Sequence, residues 1–102
     1  MSWIPVGPAN AIPPGDCATV EVDGVFVLVC NVDGEFFAID DMCTHDGGEL
    51  AGGRLENHQV ICPRHGARFC LRTGAALTPP AYEAVRTYAT RVVDGQVEVL
   101  GE

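Results

Sequence analysis

Short apolar runs alternate with polar turns along both ends of the chain. Asp-Gly pairs at positions 23–24, 33–34 and 94–95 separate runs rich in Val, Phe, Ile and Thr. An Asp-Gly pair between two such runs is typical of a two-residue hairpin turn, because both turn residues need a positive φ. The runs joined in this way are residues 18–22, 25–29, 35–39, 90–93 and 96–100. The pattern therefore predicts an all-β fold of antiparallel hairpins, with one short helical turn near residues 8–12.

The middle of the chain has a different pattern. From about residue 41 to residue 81 it consists of Gly- and Pro-rich loops, interrupted by apolar pieces at 59–61 and 67–70, and it contains all three histidines and three of the five cysteines. A chain of 102 residues is the size of one domain. We therefore predict a single domain over residues 1–102. Its base sheets come from 1–40 and 82–102, and an inserted subdomain over about 41–81 carries the chemistry.

The charge balance narrows the range of partners. The chain has 14 acidic residues against 6 arginines and no lysine, which gives a formal net charge of −8. Nucleic acids are excluded because binding their phosphates requires clustered Lys and Arg, and an anionic membrane surface is disfavoured for the same reason. The sequence shows neither a signal peptide nor an apolar run near the ~20 residues that span a bilayer. We therefore expect a cytoplasmic protein whose partners are neutral or basic.

Three of the cysteines are expected to be structural. Cys17, Cys30 and Cys70 match no ligand spacing, and five cysteines at uneven positions do not resemble a disulfide framework. We predict that these three are small buried apolar side chains. A Cys17–Cys30 disulfide is not expected in a reducing compartment.

The remaining cysteines belong to a pattern of metal ligands. Cys43 and His45 are followed, after 16 residues, by Cys62 and His65. Glycines follow each pair, and they permit tight turns whose backbone N–H groups point towards anionic sulfur. Thiolate and imidazole ligands exclude calcium and magnesium. Two arrangements remain: one tetrahedral zinc, or a [2Fe–2S] cluster with both cysteines on one iron and both histidines on the other.

The spacing Cys-x-His, sixteen residues, Cys-x-x-His resembles the signature of Rieske iron–sulfur proteins. This resemblance covers the whole chain and implies an antiparallel β-sandwich with an inserted cluster-binding subdomain of two ligand loops and a proline loop. It implies one [2Fe–2S] cluster bound by Cys43, His45, Cys62 and His65. The residues expected around that cluster are Gly47, Gly48, Gly66, Ala67, Pro79 and Pro80.

Several positions depart from the Rieske members of cytochrome bc complexes. Those members have a cysteine in each ligand loop that together form a disulfide, whereas this chain has Gly48 and Arg64 at the two places. They also have Ser and Tyr donors to the cluster, whereas this chain has Ala67 and Phe69. Each lost donor removes stabilisation of the more negative reduced cluster. We therefore expect a potential near the low end of the Rieske range of roughly −150 to +300 mV.

The second loop, from Cys62 to Gly74, resembles the Rieske ferredoxins of bacterial aromatic-ring dioxygenase systems. That resemblance implies a one-electron carrier, not an enzyme and without an organic substrate of its own. Its partners would be a flavin-dependent NAD(P)H reductase and a terminal Rieske oxygenase, which it contacts through exposed His45 and His65. Coordination makes the free ring N–H more acidic, so the potential should fall at alkaline pH. Three alternatives remain open: the small subunit of an NAD(P)H nitrite reductase, an accessory of iron–sulfur assembly, and a zinc-bound interaction module.

The other polar and aromatic residues are given simpler interpretations. Asp40 and Asp41 are predicted at the surface, and His58 in a solvated turn. Arg64 and Arg68 are predicted to be solvated or to face an acidic partner. Packing alone accounts for Tyr82. The aromatic residues expected in the core are Trp3, Phe36 and Phe37.

Overall fold

The computed structural model describes residues 2–101, and within them every strand pairing is antiparallel. The strands are β1 (Ser2–Pro8), β2 (Cys17–Val22), β3 (Val25–Val32), β4 (Glu35–Asp40), β5 (Leu55–Glu56), β6 (Gln59–Ile61), β7 (Arg68–Cys70), β8 (Thr87–Tyr88), β9 (Thr90–Val93) and β10 (Gln96–Gly101). A 3₁₀ turn at Ala9–Ala11 confirms the predicted helical turn. No helix in the described part of the chain is long and apolar enough to cross a membrane.

Three sheets organise the molecule. The two ends of the chain build a three-stranded sheet in the order β1-β10-β9 and a four-stranded sheet in the order β2-β3-β4-β8. The middle of the chain adds a small third sheet, in the order β5-β6-β7. The all-β, antiparallel prediction is confirmed.

All three predicted Asp-Gly turns form. Asp23, Asp33 and Asp94 have φ of 52°, 53° and 51°, and each is followed by a glycine that also has a positive φ. This is the type I′ geometry that suits the twist of a hairpin. A fourth two-residue turn, between β5 and β6, contains Asn57 and His58 with φ of 52° and 60°.

Strand β3 is buried on both faces and is shared by two cores. Val27 and Val29 face one way and pack with Val97 and Val99 of β10, between the two base sheets. Leu28 and Cys30 alternate with them and face the third sheet and the loops around it. That second core also contains Ile39, Leu50, Val60, Phe69, Leu71, Ala81 and Val85. This second core packs against the ligand loops, since it also contains Cys43 and Cys62.

Several expectations about burial were wrong. Trp3, Phe36 and Phe37 are only half-buried. Trp3 lies on β1, where its ring is covered by the Arg91 guanidinium at 4.1 Å from the ring centroid. Both phenylalanines lie on β4 and pack, partly buried, at the margins of the two cores, Phe37 against one core and Phe36 against the other.

The cysteine and acidic positions also differ from expectation. Cys30 is fully buried, but Cys17 and Cys70 are half-buried. Asp41 is 9% exposed instead of lying at the surface, because its carboxylate accepts hydrogen bonds from two backbone amides. Asp40 is half-buried and accepts a hydrogen bond from the Tyr88 hydroxyl.

Candidate metal centre

The two ligand loops, residues 43–48 and 62–67, have the same backbone hydrogen bonding. In each loop the cysteine N–H donates to the carbonyl five residues on, at Gly48 and Ala67, both at 2.7 Å. The N–H four residues on, from Gly47 and Gly66, donates back to the cysteine carbonyl. These glycines have φ of 74° and 73°, a conformation that glycine adopts without strain. Four of the six predicted surrounding residues thus close the loops.

The thiols of Cys43 and Cys62 lie together at the inner end of the site. Both are essentially inaccessible to solvent and belong to the core that contains Leu28 and Phe69. Burial is the largest influence on Cys43 and raises its pKa, although the His45 and Asp46 amides oppose it.

The Cys62 thiol has the opposite balance. Burial acts to raise its pKa, but the Arg64 and His65 amides, the Cys43 thiol and the charge of Arg64 together lower it. Backbone amides therefore point at both sulfurs, as a site for anionic thiolates requires.

The two imidazoles lie together at the outer end. His45 and His65 are exposed, and their ring centroids are 4.9 Å apart with the planes at 89°. A cavity of about 290 Å³ next to His45 is lined by Thr44, Pro80, Tyr82 and Glu83. A partner molecule can therefore approach the rings directly.

The donors form two pairs. Within residues 2–101 no three Cys, His, Asp or Glu side chains converge as a single metal ion would need. A buried pair of thiols below an exposed pair of imidazoles fits a binuclear cluster, with one pair for each iron. The arrangement does not fit one tetrahedral zinc, whose ligands meet at one point.

Arg64 ties the second ligand loop to the first. Its Nε and Nη2 donate to Asp46 Oδ2 and Oδ1 at 2.7 and 3.1 Å, and Nη1 donates to the Glu49 carbonyl at 2.8 Å. A Cβ added to Gly48 would lie 2.7 Å from the Arg64 Cζ. The two positions that carry the disulfide cysteines in cytochrome bc members thus touch here, and an ion pair joins the loops.

Asp46 also reaches a predicted ligand. Its Oδ2 lies 3.1 Å from His65 Nε2, and its Oδ1 accepts the Gly48 N–H at 2.8 Å. The Arg64 side chain, followed by the Gly48 amide, holds the pKa of the Asp46 carboxyl well below its ordinary value. The Asp46 carboxylate is therefore placed directly beside the ring of His65.

The segment with Pro79 and Pro80 is attached to the first ligand loop and to β7, which directly follows the second ligand loop. Thr44 Oγ1 donates to the Glu83 carbonyl at 2.7 Å, and the Arg68 N–H donates to Thr78 Oγ1 at 3.0 Å. Pro80 lines the cavity beside His45, whereas Pro79 is exposed.

Two aromatic side chains depart from the sequence interpretation, and two arginines have partners within the chain that it did not name. Tyr82 is 81% exposed instead of packed. Arg64 is exposed, as the solvated alternative expected, and it bonds to Asp46 and Glu49. Arg68 is half-buried and bonds to Glu56 and Gln59. His58 lies in the predicted turn, but its half-buried ring meets Phe37 edge-on with centroids 5.8 Å apart.

Sequence reasoning missed the roles of Asp41 and Asp46. Asp46 follows His45 directly in the sequence, and its charge is opposite to that of Arg64. This opposite charge was the available signal for an ion pair between the two. No local pattern marks the 18-residue separation of these two side chains as a contact. Asp41 had no comparable signal, because its two partner amides, of Leu50 and Ala51, lie across the first ligand loop.

Comparison with curated proteins finds ferredoxins of dioxygenase systems. The 3-phenylpropionate/cinnamic acid dioxygenase ferredoxin subunit of Photorhabdus laumondii is 40% identical, covering 97% of this chain and 94% of that protein. The biphenyl dioxygenase ferredoxin subunit of Pseudomonas sp. (strain KKS102) is 39% identical, covering 90% of this chain and 85% of that protein.

Comparisons with solved structures and with family models lead to the same kind of protein as the curated relatives. A chain in the complex of reduced oxygenase and oxidised ferredoxin of carbazole 1,9a-dioxygenase superposes with a TM-score of 0.92 at 32% identity, over 98% of this chain and 94% of that one. The family model for the Rieske [2Fe-2S] domain matches residues 2–89. The chain therefore belongs to the Rieske [2Fe–2S] family, and its cofactor is a [2Fe–2S] cluster.

Proposed function

We propose that this chain carries single electrons from a flavin-dependent NAD(P)H reductase to the terminal oxygenase of an aromatic-ring dioxygenase system. The observation that carries the proposal is the exposed pair of imidazoles above a buried pair of thiols. The relatives named as dioxygenase ferredoxin subunits support the choice of system. Activation of oxygen and of the aromatic substrate belongs to the oxygenase.

Four side chains are assigned to the cluster. Cys43 and Cys62 would bind one iron from the core side, and His45 and His65 would bind the other from the solvent side. Once bound, the cluster supplies reversible one-electron chemistry. Two thiolates cancel the +2 charge of an oxidised core, so the site is neutral before it accepts an electron and easier to reduce than a four-thiolate site.

The remaining residues of the site have positioning roles. The two glycine-closed loops aim backbone amides at the sulfurs, and the core around Phe69 keeps water away from them. Asp46 orients His65. The cavity beside His45, with exposed Tyr82 in its lining, gives a partner short access to a ring that would hold iron.

Ligand variants with matched controls test this proposal. Cys62→Ser and His45→Ala should lose the cluster, whereas Cys70→Ser and His58→Ala should retain two irons and two sulfides per chain. The reduced holoprotein should show the low average g value of a Rieske centre and accept one electron in a reductive titration. Retention of a full cluster by Cys62→Ser, or its loss in both controls, would contradict the assignment.

The partner assignment needs a separate assay. With NADH and the reductase of one of the dioxygenase relatives, catalytic amounts of reductase should reduce the whole pool of this protein. Addition of the matching oxygenase and its aromatic substrate should reoxidise that pool. A protein that carries an intact Rieske cluster but exchanges no electrons with either component would point to another system.

A further inference from the structure

Two cysteines outside the metal centre face each other across a hairpin. Cys17 begins β2 and Cys30 lies opposite it on β3. Their sulfurs are 2.9 Å apart and both are free thiols. A disulfide needs a separation of about 2.03–2.05 Å, so a small change of the two side-chain torsions would join them.

The register of the hairpin suits such a bond. The Asn31 N–H donates to the Asp16 carbonyl at 3.0 Å, one position further along the ladder. Hydrogen-bonded and non-hydrogen-bonded pairs alternate in an antiparallel ladder, so Cys17 and Cys30 form a non-hydrogen-bonded pair. Cα atoms at such a pair are about 4.5 Å apart, within the range that disulfides span.

The two thiols differ in access and acidity. Cys17 is half-buried on an edge strand, whereas Cys30 is fully buried in the core that contains the ligand thiols. The contact with the Cys30 thiol is the largest influence on Cys17 and lowers its pKa. Burial and the charges of Asp16 and Asp41 act in the opposite direction. The contact with Cys17, followed by burial, raises the pKa of Cys30. Cys17 is therefore the thiol that solutes reach and the one that ionises first.

We propose that Cys17 and Cys30 are a redox modification site, which forms a reversible intramolecular disulfide by exchange with a small-molecule disulfide. The Cys17 thiolate attacks one sulfur of the reagent, the reagent S–S bond breaks, and one thiolate leaves. The Cys30 thiol then loses its proton and attacks Cys17 Sγ, which expels the second reagent thiolate. Both cysteines are oxidised, one reagent disulfide is reduced to two thiols, and the two protons end on those thiols.

The bond would fix an edge strand to the central strand of the fold. Closing the loop of residues 18–29 removes conformational freedom from the unfolded chain, so the oxidised protein should unfold at a higher temperature. Cys43 and Cys62 take no part, because they are closed off in the core and assigned to the cluster. The proposed disulfide involves none of the four candidate ligands, so it does not rest on the proposed electron-transfer partners.

The sequence allows a clean assay with oxidised glutathione. Cleavage after glutamate places Cys17, Cys30 and Cys43 in separate peptides, 1–21, 22–35 and 36–49, and leaves Cys62 and Cys70 in 57–83. The holoprotein is equilibrated with mixtures of oxidised and reduced glutathione, alkylated, digested without reductant and analysed by mass spectrometry. We expect peptides 1–21 and 22–35 to be joined, two hydrogens lighter than their sum, and to separate when the glutathione mixture is made reducing.

Three variants separate the two steps. Cys17→Ser should abolish the cross-link, and Cys70→Ser should leave it intact. Cys30→Ser should trap glutathione on peptide 1–21, because the resolving thiol is gone. Cross-links that involve peptide 36–49 or 57–83, or glutathione that stays on Cys17 in the unmodified protein, would overturn the proposal.

A second measurement compares the oxidised and reduced forms of the unmodified protein, with Cys17→Ser as its control. The thermal midpoint of the oxidised holoprotein should exceed that of the reduced holoprotein, with cluster absorbance unchanged at the start of both scans. The Cys17→Ser variant should show no such difference between the two conditions. If both thiols of the unmodified protein remain fully alkylated at every glutathione ratio, the site is not redox-active.

Discussion

Ala67 ends the second ligand loop and Phe69 lies two residues beyond it, at the positions that match the hydroxyl donors of the Rieske members of cytochrome bc complexes. Both side chains are fully buried in the core that holds the Cys43 and Cys62 thiols. We expect Ala67→Ser to raise the midpoint potential, because a hydroxyl donor stabilises the more negative reduced cluster. A gain of about 1.4 kcal/mol corresponds to about 59 mV for one electron.

A spectroelectrochemical titration of the holoprotein measures this shift. Ala89→Ser makes the same chemical change at an exposed position and should leave the potential unchanged. A potential for Ala67→Ser equal to or below that of the unmodified protein would show that the serine hydroxyl does not reach the cluster.

The Arg64–Asp46 ion pair joins the two ligand loops at the place that matches the disulfide of the cytochrome bc members. When a chelator is added, we expect Arg64→Gln to lose its cluster on the order of 10-fold faster than the unmodified protein. This factor is the lower end of the effect seen when a partner of a metal ligand is changed. Both Asp46, which contacts His65, and the Glu49 carbonyl would lose their arginine contacts. Decay of the cluster absorbance gives the rate.

A second arginine provides the control for this variant. Arg72 pairs with Glu35 at 3.6 Å on the exposed surface, outside the ligand loops. Arg72→Gln removes the same charge and should leave cluster retention unchanged. Equal rates for both variants would mean that the ion pair does not hold the loops.

At the scale of elements, Asp41 connects the end of β4 to the segment that follows the first ligand loop. Its Oδ1 accepts the Leu50 and Ala51 amides, both at 2.8 Å. Asp41→Ala leaves these donors without their acceptor, at a cost of about 1–3 kcal/mol for an unsatisfied buried group. A loss of about 2 kcal/mol would lower the thermal midpoint of the holoprotein by roughly 8–16 °C.

Asp41→Asn separates the hydrogen bonds from the charge. The amide retains a carbonyl acceptor, so this variant should lose less stability than Asp41→Ala in the same thermal scan. If Asp41→Asn is as unstable as Asp41→Ala, the charge and not the acceptor is what the loop needs.

The contrast between hairpins and loops shows what the sequence could predict. The Asp-Gly turns are local, since two adjacent residues determine the backbone there, and all three formed. The burial of Asp41 is not local, because it depends on a loop that returns to the chain nine residues later. Phe37 is similar. Its place on a predicted strand of apolar residues indicates a core position, but only the assembled sheets show that it lies at the margin of a core.

At the scale of the whole molecule, two cores with different neighbours share strand β3. One core lies between the base sheets and the other supports the ligand loops. The sequence could suggest four candidate ligand positions because both loops are short and each pairs a thiol with an imidazole. Its division into inner thiols and outer imidazoles required the fold, which buries Cys62 and leaves His65 three residues later in solvent.

The net charge of −8 creates a field that can steer a basic partner protein towards this molecule. We expect the second-order rate of electron exchange with a basic partner protein to fall at least ~10-fold from low to high ionic strength, because salt screens the steering field.

Glu83 lines the cavity beside His45, whereas Asp94 lies in the β9–β10 turn of the other base sheet. Stopped-flow rates at low salt should therefore fall more for Glu83→Gln than for Asp94→Asn, although each removes one negative charge. Equal effects would assign steering to net charge alone, and rates that rise with salt would contradict electrostatic docking.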